Sequence, residues 1–281
     1  MEVHCAPGRK VRVLTSFLPV YCFTANVAGD LAEVDNLLPP GIDPHDFQFS
    51  VREMKKLGAA DVMVVNGLQL EPWLDRIIRS SEKPKVIVEA AAGLKAELIM
   101  SGAGQKDDEK SLVPNPHIWL DPKLAEHAVT NILAALQQAD PGNAAGYARN
   151  ANQYIERLEK LDAELQAGLA PAKGEAIVTF HNAFPYFARR YGLKIAGVIE
   201  EVPDVQPSPK YLSALGRTIK SDKVKAVFTD RQYASRLAEQ FGRDYHVPAA
   251  QLDTLETGEF KPEAYEDGMR NNLHTLEKFL E

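Results

Sequence analysis

Cysteine is nearly missing from this 281-residue chain: there are two, Cys5 and Cys22, with no CxxC spacing. Alone they cannot form a cysteine zinc site. A Cys5–Cys22 disulfide and a lipidated Cys5 both stay open, although no lipobox is visible; the plainest reading is two unpaired structural thiols. No run of about 18 apolar residues is present, which excludes a transmembrane helix. The start, MEVHCAPGRK, has no apolar h-region, so the chain is either cytosolic or one whose signal peptide has been removed or replaced by a start Met. Positive charge is not in excess. Lys and Arg total 32 against 39 Asp and Glu, a net charge of −7, which argues against nucleic acid and against an anionic membrane as partners. No short repeat or low-complexity tract is evident.

What is present reads as an α/β protein. VRVLTSFLPV (11–20), DVMVVNG (61–67) and KVIVEAA (85–91) are apolar runs suited to strands buried on both faces. SVREMKKLGAA (50–60) and EPWLDRIIRSS between them have helical spacing, and VAGDLAEVDNLL reads as a short helix or turn leading to a strand. Alternation of this kind predicts a parallel sheet. Residues 101–116 are polar and read as a surface loop, with Asp107, Asp108 and Glu109 but no histidine before His117. Asp121-Pro122 then starts a helix. From about 143 to 169, Tyr147, Ala151, Tyr154, Leu158, Leu161 and Leu165 recur at spacings of four and three. That is one long amphipathic helix. Beyond it the rhythm restarts, with strands at AIVTF (176–180), KIAGVI, VKAVFT (224–229) and near VPAAQL. The expected organisation is an N-terminal α/β lobe over 1–141, a linking helix over 142–170 and a C-terminal α/β lobe over 171–281.

Three of the seven histidines stand beside strand ends or helix starts: His45 in LLPPGIDPHDFQFS, His117 in NPHIWLDP and His181 closing AIVTF. Asp253 follows the short strand of the second lobe. Open α/β sheets bind ligands at such positions, and a cleft between the lobes would bring the four together. Imidazole nitrogen and carboxylate oxygen suit Zn²⁺ in a four-ligand site. Manganese prefers more oxygen, so the set leans to zinc with Mn²⁺ as the alternative. His4, His127, His246 and His274 read as tail, helix or loop residues.

The stretches GIDPHDFQFSVREMKKLGAADVMVVNGLQLEPWLDR, NPHIWLDP, TFHNAFPYFARRYGLK and VIEEVPDVQPSPKYLSAL resemble the periplasmic solute-binding proteins of zinc and manganese ABC importers, the ZnuA and TroA types. The likeness runs from about Val11 to the C-terminus. It implies two lobes of parallel sheet flanked by helices, joined by one long bridging helix, with the metal in the inter-lobe cleft. Position by position it implies His45, His117, His181 and Asp253 as ligands, His at 181 resembling the zinc members where many manganese members have Glu. Two departures bear on the fourth ligand. The family usually reads Asp-Pro-Leu where this chain has LDTL, and often has Glu-Pro where it has FTDRQY, so Asp230 or a water is the alternative to Asp253. Glu200 and Glu201 would lie near the cleft as supporting or surface charges, and Trp119 would pack beside its histidine.

The resemblance implies a monomeric, non-enzymatic receptor, periplasmic or otherwise extracytoplasmic and possibly lipid-anchored, that takes up a divalent metal and delivers it to an ABC permease. A zinc hydrolase with Asp253 or Asp230 as base is the rival from another class. No nucleophile elbow or hydrolytic motif supports it. A surface adhesin would keep the same metal site and differ only in its partner.

Overall fold

The computed structural model describes residues 9–45, 47–48, 50–79, 84, 86–95, 97–102, 112–200, 207–230 and 236–280. The readings of His4, Cys5, Asp107, Asp108, Glu109 and Glu201 fall outside these residues. The chain divides into two compact units. The first draws on Met1–Lys95, Pro122–Lys160 and Leu255–Asp267, the second on Ala96–Asp121, Leu161–Thr254 and Gly268–Glu281.

In the first unit, β1 (Val11–Thr15), β2 (Ala32–Asn36), β3 (Val62–Val65) and β4 (Val86–Glu89) form a parallel sheet in the order β2-β1-β3-β4. The apolar run of β3 is buried at every position, as a strand covered on both faces requires. Helices α1 (Leu18–Ala28), α2 (Val51–Ala59), α3 (Leu74–Ile78) and α4 (Pro122–Ala139) accompany it. The expected strand over 11–20 is shorter: it ends at Thr15, and Pro19 opens α1. Proline in a first turn has its φ already set and no amide to satisfy. Helix α1 buries eight of its eleven residues, so it carries no polar face whose period would betray a helix. Helix α2 starts at a capping box. Ser50 accepts from the Arg52 amide, and Glu53 accepts from the Ser50 amide at 3.0 Å.

In the second unit, β7 (Ala176–His181), β8 (Lys194–Glu200), β9 (Ala226–Asp230) and β10 (Ala249–Leu252) form another parallel sheet, ordered β10-β9-β7-β8. Helices α6 (Pro185–Tyr191), α7 (Pro209–Ser221) and α8 (Arg236–Tyr245) alternate with these strands. The final helix, α9 (Ala264–Leu280), begins in the first unit and ends in the second. The polar segment expected as plain loop contains a short antiparallel pair, β5 (Met100–Gly102) with β6 (Leu112–Pro114). Three-residue strands offer too little alternation to read from sequence.

Helix α5 (Ala144–Leu169) is the long helix expected, 26 residues or about 39 Å. All six stripe residues, Tyr147 to Leu165, are fully buried. Its first part belongs to the first unit, where the Tyr154 hydroxyl and Arg157 guanidinium bond Glu266 at 3.4 and 3.2 Å. Its last part belongs to the second, where Asp162 accepts two bonds from Arg190, at 2.6 and 2.5 Å, and one from the Tyr191 hydroxyl at 3.0 Å.

By their contacts, the compact units interleave along the sequence. The segment ending at Asp121, with His117, groups with residues beyond the long helix. The bonds that tie it there are specific. The Tyr186 hydroxyl donates to the Asn115 carbonyl at 2.8 Å and accepts from the Ile99 amide at 3.1 Å.

The turn after β3 combines strain with a buried charge. Gly67, Leu68 and Gln69 all have positive φ, at 83°, 55° and 64°. A Cβ on Gly67 would stand 3.0 Å from a Glu89 carboxylate oxygen, so this position needs glycine on two grounds. The turn is latched by Glu71. One of its oxygens accepts from the Ser16 hydroxyl (2.8 Å) and the Asn66 amide (2.7 Å), the other from the Gly67 amide (3.1 Å). Burial pushes the Glu71 carboxyl up from the ordinary 4.5 to about 7, against the pull of those donors. The folded chain thus holds a proton in a window where the unfolded chain has released it. The Glu71 contribution to stability is full below about 4.5 and falls as pH rises through about 7, a loss of ~3 kcal/mol. Urea unfolding of the wild type and Glu71→Gln from about pH 5 to about pH 8 checks this. The stability difference, wild type minus variant, should decline with rising pH, whereas parallel curves would remove the assignment.

Candidate metal centre

Each unit gathers its own pair of ligand-type side chains. In the first, the loop from β2 to α2 carries His45. Its backbone amide donates to the Asp43 carboxylate at 2.8 Å, an Asx turn that fixes the residue beyond the prolines. The Trp73 indole N–H donates to the Pro44 carbonyl at 3.1 Å, and the Phe47 and Trp73 rings meet edge to face at 5.6 Å. Loop position thus depends on the strained turn that delivers Trp73. Facing His45 is Glu256, whose carboxylate oxygen stands 3.2 Å from His45 Nε2. The Glu256 side chain is 1% exposed and that of His45 20%. Adjacent ligands of a tetrahedral zinc ion, with bonds of 2.0–2.2 Å, are themselves about 3.3 Å apart. The pair is spaced both for a hydrogen bond and for sharing one ion.

In the second unit, His181 ends β7 and His117 precedes a 3-10 turn at Ile118–Leu120. Both are buried, with ring centroids 4.7 Å apart at 78°. Trp119 packs 5.0 Å from the His117 ring, and its indole N–H donates to the Thr254 carbonyl at 2.7 Å. The expectation that Trp119 packs beside the histidine matches this position. Asp230, the last residue of β9, lies 3.7 Å from His181 Nδ1 and is buried. Glu200 sits in register with His181 on the neighbouring strand.

Asp253 lies elsewhere. Its backbone is clasped by Asn272, which accepts from the Asp253 amide and donates to its carbonyl, both at 2.7 Å. Asp253 lines an open groove beside α9 together with Asn271, His274 and Lys278. Among the described residues it joins no group of three or more potential metal ligands. Glu256, three residues on, is the acidic side chain beside His45, one that the sequence reading did not single out. The LDTLETGEF loop offers three carboxylates, Asp253, Glu256 and Glu259, to one role. Leu255, at φ 62°, turns the backbone between the first two in a way that pattern reading does not expose. His127 is accounted for by its 2.7 Å bond to the Ala92 carbonyl. Cys22 is a buried free thiol, 3.3 Å from the Lys261 carbonyl and pushed up in pKa by burial, which leaves it inert as a ligand.

Two parallel four-stranded sheets, flanked by helices and joined by one long helix, are the architecture of metal-binding solute-binding proteins. The structure of the solute-binding protein FpvC from Pseudomonas aeruginosa in complex with Mn²⁺ superimposes with a TM-score of 0.88 at 31% identity, over 97% of this chain and 99% of that one. This chain belongs to the family of the periplasmic zinc-uptake complex component A, whose model matches residues 13–279. It is 34% identical over 288 residues to the zinc-binding protein AdcA of Streptococcus pyogenes serotype M18, covering 95% of this chain but 55% of that protein. It is 31% identical to the high-affinity zinc uptake system protein ZnuA of Bacillus subtilis strain 168, over 97% of this chain and 88% of that protein. The chain therefore spans about half the length of the AdcA relatives it matches.

Trp73→Phe tests how the His45 loop is held. Loss of the indole N–H should cost about 1 kcal/mol in urea unfolding. It should also speed hydrogen exchange at the His45 amide, and exchange unchanged from wild type would mean that other contacts fix the loop.

Proposed function

We propose that this chain is the metal receptor of an ABC importer, taking Zn²⁺ outside the cytoplasm and handing it to a membrane permease. One ion is held by the group His45, His117, His181 and Glu256. The observation that carries this reading is the pairing: each unit presents two convergent ligand-type side chains, three of the four buried. Three imidazoles and one carboxylate form a nitrogen-rich set that suits Zn²⁺ better than Mn²⁺, which favours oxygen. Glu256 takes the fourth position in preference to Asp253, and Asp230 acts on the His181 imidazole from outside the ligand set. The family membership and the zinc-named relatives support the cargo and the partner. Full protein ligation leaves no open position for an activated water, which favours carrier over hydrolase. The receptor acts as a monomer, and the mature protein stays outside the cytoplasm, either free or lipid-anchored.

Imidazoles must be deprotonated to bind, so affinity falls as pH drops far enough to protonate them.

Chelator-stripped protein titrated with Zn²⁺ and Mn²⁺ against a chromophoric chelator tests the assignment. One tight Zn²⁺ per chain is expected, with His45→Ala and His181→Ala each abolishing tight binding. Glu256→Gln should weaken it at least about 10-fold, while Asp253→Asn should leave it within about twofold. The reverse order of those two variants would return the fourth position to Asp253. A preference for Mn²⁺ would keep the receptor and change its cargo.

A further inference from the structure

Asn115 stands at the junction of the two histidine-bearing segments of the second unit, and each polar group on it is engaged. Its side-chain oxygen accepts from the backbone amide of His117 at 3.0 Å and lies 2.9 Å from His117 Nδ1. Its side-chain nitrogen donates to the carbonyl of Asn182, the residue after His181, at 2.8 Å. Its backbone amide donates to the Ile99 carbonyl at 2.8 Å, and its carbonyl accepts from the Tyr186 hydroxyl at 2.8 Å. Asn115 is itself 2% exposed.

These contacts settle which way the carboxamide faces. Turned over, its NH₂ would oppose the His117 amide N–H and its oxygen would oppose the Asn182 carbonyl, two repulsive contacts in a buried place. The oxygen therefore faces His117, and an oxygen with no proton can only accept. The hydrogen of neutral His117 must then sit on Nδ1. This leaves the Nε2 lone pair as the coordinating atom, in the tautomer less favoured by a free histidine side chain. The same side chain ties the peptide after His181 to the peptide before His117, so one residue sets both the protonation pattern of one ligand and the spacing of two.

We infer that Asn115 is the positioning residue of the metal centre, holding His117 in the Nδ1–H tautomer and clamping the His117 segment to the His181 segment. This rests on the proposed zinc site, but its first half is a property of the metal-free protein. Ligand imidazoles are commonly oriented through their second nitrogen, and removing such a partner weakens metal binding about 10- to 100-fold.

Long-range ¹H–¹⁵N spectra of metal-free protein, above the histidine titration range, read the tautomer directly. Wild-type His117 should carry its proton on Nδ1. Asn115→Ala should move it to Nε2 and weaken Zn²⁺ binding about 10- to 100-fold at unchanged circular dichroism. Asn115→Asp keeps the two acceptor contacts to His117 and loses the donor to Asn182. It should retain the Nδ1–H form yet bind Zn²⁺ more weakly than wild type, because an oxygen now opposes the Asn182 carbonyl and the clamp is lost. Wild-type His117 protonated on Nε2 would overturn the inference without any variant, as would Asn115→Ala with tautomer and affinity both unchanged. A correct tautomer in a protein that binds no Zn²⁺ would instead overturn the zinc-receptor reading and leave the tautomer assignment standing. Should Asn115→Ala not fold, the wild-type spectrum and Asn115→Asp decide the question.

Discussion

Buried imidazoles and carboxylates are costly to keep out of water, and the arrangement of this chain follows from that constraint. A polar group withdrawn from solvent must find a hydrogen-bonding partner or an ion. Here the partners are side chains and peptides held in place by strands and turns. His117 leans on Asn115, Asn115 on the peptide after His181, and His181 lies beside Asp230 at the end of the next strand. His45 is set by an Asx turn and by the indole that grips Pro44, and that indole follows a strained turn held by Glu71. The rigid part of each unit therefore extends to the ring nitrogens. A ligand placed to within a few tenths of an ångström needs such support at every step back to the sheet.

Much of this was legible in the residues. The strands at 62–65, 86–89 and 226–230 each open on a run of apolar residues, and the four-and-three spacing from Tyr147 to Leu165 specifies one face of one helix. His45, His117 and His181 declared themselves by standing next to turn-forming residues at element ends. Other features were hidden for physical reasons. Helix α1 is buried nearly all round, so its period has no polar face to show. The β5–β6 pair is too short to alternate. The choice between Asp253 and Glu256 depends on a single left-handed residue, Leu255, and no composition rule assigns that conformation to leucine. The grouping of His117 with His181 depends on long-range bonds such as Tyr186 to Asn115, which no local pattern encodes.

The two halves of the ligand set differ in character. The imidazole pair of the second unit is deeply buried and held on several sides. In the first unit a half-buried histidine on a loop faces a carboxylate that is almost wholly enclosed. An enclosed carboxylate is poorly solvated, so it gains more from a cation than an exposed one does. The loop histidine is the most solvent-accessible of the four side chains.

The interleaving of the units has a consequence for biosynthesis. The first unit closes only when Glu266 reaches Tyr154 and Arg157 and when Tyr265 packs on Phe23 at 4.9 Å, contacts between the beginning, middle and near-end of the chain. A ribosome must have made almost the whole polypeptide before that unit has all its parts. Neither unit can therefore be obtained as a contiguous fragment, and neither can be completed early during synthesis. The long sequence separation of these contacts ties completion of either unit to the finished chain and favours slow folding.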